Sequence, residues 1–588
     1  MNRYLYIFVL SVTAIAAQGT RAQIVQPTPT PTPTPIVTDK QNVSPEDLKG
    51  VPAIAPNYRS DDRGLPDLGR VGVDMMQQRS LTLRETIELA LENNKDVELI
   101  RKNVRIAEFD FQSTRGIFQP RLTGQTYYDR STVPNVSVFS NNPTTTQGTL
   151  AGNAALQAFA PRYGTVFTGT LNNQRLTTNN PISILSPQFN SSLGFAVTQP
   201  LFRGRRFDAG RRTIEIAKRN LELTDSQFRQ RSIDIVAAAE KAYWDLAFAL
   251  RNLQVQRDSV RDAKEQLAHN RRLVLEGQLA PIDIVAAETQ VANFEQAVYD
   301  ALNLVNQAEN GLKNLISPNR TNAIWNEALT PVDSVEISVP DTTLPEAMDA
   351  ALHNRPELEI VKTQKFINSL DQRLYREQKK PQIDFIASYT SAGIGGSLNP
   401  VFSNPFARTV CQNPNSVDCL ALIAQQQAFL RTIGGAGTSL SDIFTNKYPT
   451  FRVGITFNLP LWGDKTAEAQ LGRSRVEAEK LETQSEQLEQ GIQVEVRNAL
   501  QAIRTGEARL RAAAIARENT AKQYDSEQRK LDAGQSDIYK VLERQTALAA
   551  ARSNELRART ELNKAIAELE RATGNSLKAN NIAPKITK

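Results

Sequence analysis

Two hydrophobic periods follow one another along this chain, in the same order in each half. Directly after Pro120, Leu122, Gly124, Thr126 and Tyr128 alternate with polar neighbours, and directly after Pro381, Ile383, Phe385, Ala387 and Tyr389 do the same. Each proline therefore ends a helix and opens a strand. A second strand is predicted in each half. Phe189, Ser191, Leu193, Phe195 and Val197 oppose Asn190, Ser192, Gly194, Ala196 and Thr198; Phe451, Val453, Ile455, Phe457 and Leu459 oppose Thr450, Arg452, Gly454, Thr456 and Asn458. One face is apolar and the other small or polar.

The period then changes to a heptad. Phe228, Ile235, Ala242 and Ala249 recur at that spacing beside Leu246, Leu253, Val260, Leu267 and Val274, and Val496, Ile503, Leu510, Tyr524 and Leu531 repeat it with Arg517 interrupting. Sustained heptads predict coiled-coil seams. The helices run from Asp208 to Glu276 and from Asp464 to Leu531, each roughly 100 Å long at about 1.5 Å per residue. Gly277 and Gly534 turn them back into return helices lined by Ile284, Val291, Val298, Val305 and Leu312 in one half and by Val541, Leu548, Leu562 and Leu569 in the other. At roughly 52 to 56 Å, the return helices leave half of each long partner uncovered. The helices that open each half supply the missing length: Ser80 to Arg115, broken near Asn93-Asn94, and Thr342 to Lys379, broken at Asn354-Arg355-Pro356. Stacked end to end on the return helices, they complete a pillar, with 317–341 and the tail after Gly574 around its middle.

Leu83 to Tyr128 aligns without a gap on Leu344 to Tyr389 at an offset of about 261 residues, keeping Leu83/Leu344, Glu85/Glu346, Leu91/Leu352, Asn93/Asn354, Pro120/Pro381 and Tyr128/Tyr389. A unit this long is a whole structural module, since solenoid repeats run to about 20 to 50 residues. The expected organisation is a signal peptide at 1–22, a Pro/Thr-rich linker and irregular segment at 23–80, a first repeat at 81–341, a second at 342–575 and a tail at 576–588.

Strands with this alternation suit a membrane barrel, and two hairpins in one chain cannot close one. Three protomers giving four strands each would make about twelve, an even number in the permitted range. Thr149 to Phe159 and Thr165 to Arg175, joined by Pro161-Arg162-Tyr163-Gly164, offer a further hairpin that this scheme does not place. The expected fold class is an α+β membrane protein, internally duplicated, with long antiparallel coiled-coil hairpins forming a tunnel and β-hairpins contributing to a trimeric barrel.

Composition narrows the function. Aromatic residues make up 6% and the mean hydropathy is −0.40, a balance suited to long solvated helices. No stretch after the N-terminus offers about 18 uninterrupted apolar residues, which excludes a helical membrane span. The net charge of +6 comes from 69 basic and 63 acidic residues interspersed along the chain, without the basic cluster that nucleic-acid binding needs. Arg3, the apolar run Tyr4 to Ala17 and Thr20-Arg21-Ala22 before Gln23 have the layout of a secretory signal, and Pro27 to Pro35 alternates Pro and Thr as a stiff spacer. In an exported chain the closely spaced Cys411 and Cys419 point to a disulfide rather than a metal pair, because the only histidines, His269 and His353, lie far off in sequence. No catalytic, metal or cofactor constellation is present, so no enzyme is expected.

The tip sequences Glu276-Gly277-Gln278-Leu279-Ala280-Pro281-Ile282-Asp283-Ile284 and Ala533-Gly534-Gln535-Ser536-Asp537-Ile538-Tyr539-Lys540-Val541-Leu542-Glu543 resemble the Val-Gly-Leu and Val-Gly-Thr tips of the TolC-type outer-membrane efflux protein family. The strand exits Pro200-Leu201-Phe202 and Pro460-Leu461-Trp462 are similar too, and the resemblance covers about residues 81 to 575. It implies a homotrimer in outer-membrane lipid, a twelve-stranded barrel continuous with a periplasmic helical tunnel, and a passive exit duct for efflux or type I secretion. The tunnel's closed end would meet a periplasmic adaptor and an inner-membrane transporter. Acidic residues after each tip turn would form rings at the entrance, which the resemblance places at Asp283, Lys540 and Glu543, with Asp537 beside them. Lys540 departs from the expected acid and weakens that ring or converts it to salt bridges. The same resemblance makes Gly277, Gln278, Leu279, Gly534, Gln535 and Ser536 adaptor contacts.

Simpler readings stand beside these. Pro281 and Asp283 suit the first turn of a helix, Ser536 or Asp537 can cap the other return helix, and the glycines satisfy left-handed turns. The competing function is a trimeric coiled-coil stalk or adhesin anchored by a barrel; doubled-back helices speak against it, since a stalk needs one continuous helix.

Overall fold

The asparagine and proline breaks of the sequence become joints in the folded chain. The computed structural model describes residues 69–135, 143–333, 339–402, 411–460 and 463–582, all within one unit, Gly69–Lys588. The expected signal peptide at 1–22, the linker up to residue 68, Leu461-Trp462 and the end of the tail lie outside the described residues.

In chain order the elements are β1 (Asp74–Leu81), α1 (Leu83–Asn93), α2 (Lys95–Arg115), β2 (Arg121–Pro134), β3 (Thr144–Ala160), β4 (Thr165–Thr178), β5 (Leu185–Pro200), α3 (Ala209–Leu275), α4 (Ile282–Ile316) and β6 (Glu327–Pro331). The second half supplies α5 (Leu344–Asn354), α6 (Pro356–Gln378), β7 (Gln382–Leu398), α7 (Val417–Ile433), α8 (Ala436–Phe444), β8 (Tyr448–Asn458), α9 (Lys465–Asp532), α10 (Ile538–Ala572) and α11 (Ser576–Ala579). None of the described helices is long and apolar enough to cross a membrane.

The two giant helices, of 67 and 68 residues, start at equivalent caps. Asp208 accepts a hydrogen bond from the Arg211 amide at 2.8 Å and Asp464 from the Ala467 amide at 2.9 Å, satisfying donors that a helix start otherwise leaves open. Their heptad seams are filled in two stages. On α3, Phe228 and Ile235 pack with Val97 and Val104 of α2, while Leu246, Ala249 and Leu253 pack in the same cluster as Ala301, Val305 and Leu312 of α4. The stacked ends are bonded: Asn93 and Asn94 donate side-chain hydrogen bonds at 3.1 and 3.3 Å to the Ile316 and Leu315 carbonyls at the end of α4. In the second half Asn354 donates to Asn575 at 3.1 Å. Arg517, which interrupts the second heptad, pairs with Glu555 across the hairpin at 2.5 Å.

Three features depart from the sequence reading. The first is the sheet. It has six strands in the order β2-β3-β4-β5-β7-β8, antiparallel throughout, where four were expected, and the hairpin at 149–175 that could not be placed is β3–β4, paired between β2 and β5. The second is β1, in a segment read as irregular, which pairs in parallel with β6 beside the helix joints. Its residues are exposed except at the C-terminal end, so no alternation marks it. The third is 391–447, read as one long loop. Instead β7 runs on to Leu398 and α7 and α8 follow. Helix α8 lies on β5 and β7, with Ser439 hydrogen-bonded to Ser191 at 3.0 Å and Ser391 to the Ile443 carbonyl at 2.8 Å. A Cβ on Gly393 would come within 1.8 Å of the Ser439 carbonyl oxygen, so the glycines that resembled loop composition are needed for helix-to-strand contact. Cys411 and Cys419 are joined as a disulfide with a Cα–Cα distance of 4.7 Å.

Candidate functional site

Register aligns the six strands into a surface with two unlike faces. One row crosses the whole sheet through directly paired residues: Leu122, Leu156, Gly169, Phe195, Tyr389 and Phe451. The neighbouring row on the other face is Arg121, Gln157, Thr168, Ala196, Ser388 and Arg452. On the apolar face Phe451, Val453, Ile455 and Phe457 are 61–75% exposed, although burial in water-free surroundings is what such side chains favour. The two outer strands, β2 and β8, are exposed along their whole length, and their outer backbone edges have no partner strand among the described residues. They run in opposite directions.

At the far end of the helices the two turns have the same backbone geometry. Gly277 and Gly534 take positive φ of 74° and 69°. The Gln278 amide bonds the Leu273 carbonyl and the Gly277 amide that of Val274; the Gln535 amide bonds the Lys530 carbonyl and the Gly534 amide that of Leu531. Each is a Schellman stop followed at once by a new helix. Asp537 caps α10, accepting from the Lys540 amide at 3.0 Å while the Lys540 ammonium lies 3.2 Å from the same carboxylate. These bonds hold the Asp537 carboxyl below its ordinary range. Asp283 accepts from the Ala280 amide at 3.0 Å. Ser536 donates to Glu527, and Glu543 is exposed one turn deeper.

The two tips of one chain touch. Leu279 packs against Leu531, Ile538, Val541 and Leu542, so its side chain is engaged within the chain, while Gln278 and Gln535 are exposed. Sequence reasoning passed over the exposed apolar residues there, Leu275, Ile282 and Tyr539; the available signal was that they lie off the heptad seams. Polar pairs join the hairpins from the tips upward, His269 with Asp532 at 2.9 Å, Gln290 with Thr546 at 2.8 Å, Ser553 with Asn252 at 2.9 Å and Lys564 with Asp245 at 2.9 Å, beside an apolar contact of Ala549 with Ala263, Val291 and Phe294.

Near the joints lies a third cluster, also missed. Glu309 and Lys313 are fully buried, and one Glu309 oxygen accepts from Arg70 at 3.0 Å and from the Leu329 amide of β6 at 2.8 Å. Lys313 donates to the Trp325 carbonyl at 3.0 Å, and burial pushes its ammonium below the ordinary lysine range. Nearby, Tyr243 donates to Asp333 at 2.6 Å. One turn before Tyr243, Glu240 of α3 accepts from Asn580, just past α11, at 2.7 Å. Burial, reinforced by the charge of Glu570, raises the Glu240 carboxyl to about 7. The unfolded chain ionises this group near its ordinary value of 4.5 whereas the folded chain holds its proton, so stability should fall as pH rises from about 4.5 to about 7. Glu240→Gln is expected to flatten that part of the thermal-stability profile; an unchanged slope would show that Glu240 is not its source.

The family described as outer membrane efflux protein matches residues 153–317 and 424–575. Among solved structures the chain is similar to CusC, with 16% identity over 89% of this chain and 99% of that one and a TM-score of 0.58. It is similar to the Campylobacter jejuni CmeC outer membrane channel, with 14% identity over 89% and 94% and a TM-score of 0.56. It is also similar to the open state of the Neisseria gonorrhoeae MtrE outer membrane channel, with 16% identity over 84% and 89% and a TM-score of 0.54. No curated protein matches it by sequence.

Proposed function

This chain belongs to the outer membrane efflux protein family, and from that premise we propose that three copies close their sheets into one barrel above a helical tunnel, forming the passive exit duct of a tripartite efflux or type I secretion system. The observation that carries this reading is the pair of unpartnered edges. Strand β8 descends where β2 ascends, so β8 of one copy can pair antiparallel with β2 of the next, and repetition closes a ring with no free edge. The apolar face then meets outer-membrane lipid and the polar face the lumen. The giant hairpins, roughly 100 Å long, extend from the barrel through the periplasm, after export directed by residues 1–22. A stalk is less well supported, because each long helix is doubled back on itself.

At the entrance, Asp283, Glu543, Lys540 and Asp537 from three copies surround the axis, and Gly277, Gln278, Gly534, Gln535 and Ser536, braced by Leu279 between the two turns, present the tips to a periplasmic adaptor that carries an inner-membrane transporter. Because Lys540 neutralises Asp537 within its own chain, Asp283 and Glu543 carry the net negative field. The test is the mass of the detergent-solubilised protein by light scattering together with single-channel recording in a planar bilayer. Discrete currents from a three-chain species are expected, and Asp283→Ala with Glu543→Ala should lower cation preference. A trimer that never conducts, even with an adaptor present, would count against the duct; unchanged selectivity would return both carboxylates to a capping or surface role.

A further inference from the structure

We infer that the β3–β4 hairpin is part of the membrane wall, so that the assembled duct opens through eighteen strands and its mouth is at least as wide as the tunnel beneath. This deepens the trimeric reading above and rests on it. Three copies of a four-stranded sheet make twelve strands; three copies of the sheet observed here, six strands each, make eighteen.

The hairpin is built as wall. Strand β3 pairs with β2 from Arg121↔Gln157 to Pro134↔Thr144, and β4 pairs with β5 from Val166↔Thr198 to Leu176↔Gln188, without a register shift in either ladder. At 17 and 14 residues both strands exceed the length of about 9 to 11 that a tilted strand needs to span the hydrocarbon. Leu156, Ala154, Phe167 and Leu171 lie on the apolar face of the sheet, and Asn153, Gln157, Asn172 and Gln174 on the polar one, as the shared registers require. The connecting turn is short and tied to the helical end: Arg211 of α3 donates to the Pro161 carbonyl at 2.7 Å and Gln199 to that of Tyr163 at 3.1 Å.

Girth shows what the added hairpin changes. Next to the sheet each chain presents four packed helical columns, α2, α3, α6 and α9. Twelve columns spaced by roughly 9 Å give a ring about 110 Å around. Eighteen strands, spaced by about 4.8 Å and tilted by about 40°, also give about 110 Å, whereas twelve give only about 75 Å. The extra strands bring the barrel's backbone ring to the girth of the ring of helix axes beneath, so the barrel is wider than the tunnel, whose bore each helix narrows by its half-diameter of about 5 Å. Their lumen side adds amides and hydroxyls and no charge, so the hairpin itself adds neither a constriction nor a charge ring to the wall.

Trimers in lipid nanodiscs, viewed by electron cryo-microscopy, should show eighteen strands in cross-section. A trimer walled by twelve, with residues 144–178 folded into the lumen or outside the membrane, overturns the inference and leaves the duct reading intact; a species other than a trimer sinks the reading beneath it. Single cysteines give an independent readout in the full chain. Asn153→Cys and Asn172→Cys should react with a charged, water-soluble thiol reagent and lower conductance, while Leu156→Cys and Phe167→Cys should react only with a membrane-soluble maleimide. Water-soluble labelling at all four positions, or at the second pair alone, would place the hairpin outside the wall.

Discussion

Glu309→Ala is expected to destabilise the folded chain by about 3–5 kcal/mol, the range for removing one partner of a buried ion pair. The carboxylate is fully buried and is shared by Arg70, the Leu329 amide and, at 3.6 Å, Lys313. Its loss leaves Arg70 and the Leu329 amide without this acceptor and removes the counter-charge beside Lys313. Arg70 precedes β1, Leu329 lies in β6 and Glu309 in α4, so this one group ties the small parallel sheet to the helical pillar. Trp325, whose carbonyl accepts from Lys313, reports on the site by fluorescence. Thermal unfolding followed at tryptophan should shift down by several degrees, with Glu309→Gln intermediate because it keeps an acceptor for the Leu329 amide. A variant as stable as the parent would mean that the cluster contributes no lock. Replacing Arg70, Glu309 and Lys313 together by apolar residues of similar volume should restore most of the loss, since a well-packed apolar cluster avoids the desolvation of three charges.

Ile455→Arg should cost about 2–4 kcal/mol in the membrane, the penalty for a cation on the lipid side of a barrel strand near the midplane. Ile455 lies on the apolar face of β8 and is paired with Phe385. Thr456→Arg, one residue further on, turns the same charge to the polar face opposite Asp384, where it finds water and a carboxylate, and should be tolerated. The readout is the yield of trimer inserted in the outer membrane and its resistance to heat in detergent. Equal loss in both variants would indicate damage to strand pairing rather than contact with lipid, and equal tolerance would remove the face assignment.

The tip residues show how much of the candidate site could be read in advance. Gly277, Gly534, Asp537 and Asp283 were legible because turn glycines and first-turn acids act on amides within a few residues of themselves. The place of Leu279 was not, because what covers it comes from the other hairpin, more than 250 residues away. Glu309 was hidden for a related reason. On the heptad of α4 it reads as an ordinary surface acid, and only β6 and Arg70, brought from opposite directions, enclose it.

Sequence alone determined the lengths of the helices, their breaks, the turns between hairpins and the two unlike faces of each strand. All of these follow from periodicity and from groups that bond their near neighbours. Tertiary structure decided the number and order of strands in the sheet, the pairing of β1 with β6, the seating of α8 on Gly393 and the burial of Glu309. A strand's alternation fixes which side of it is apolar, but not which strand lies beside it. That choice is made by backbone pairing between distant segments, and a polar, glycine-rich stretch shows no sign of it until its partner is in place.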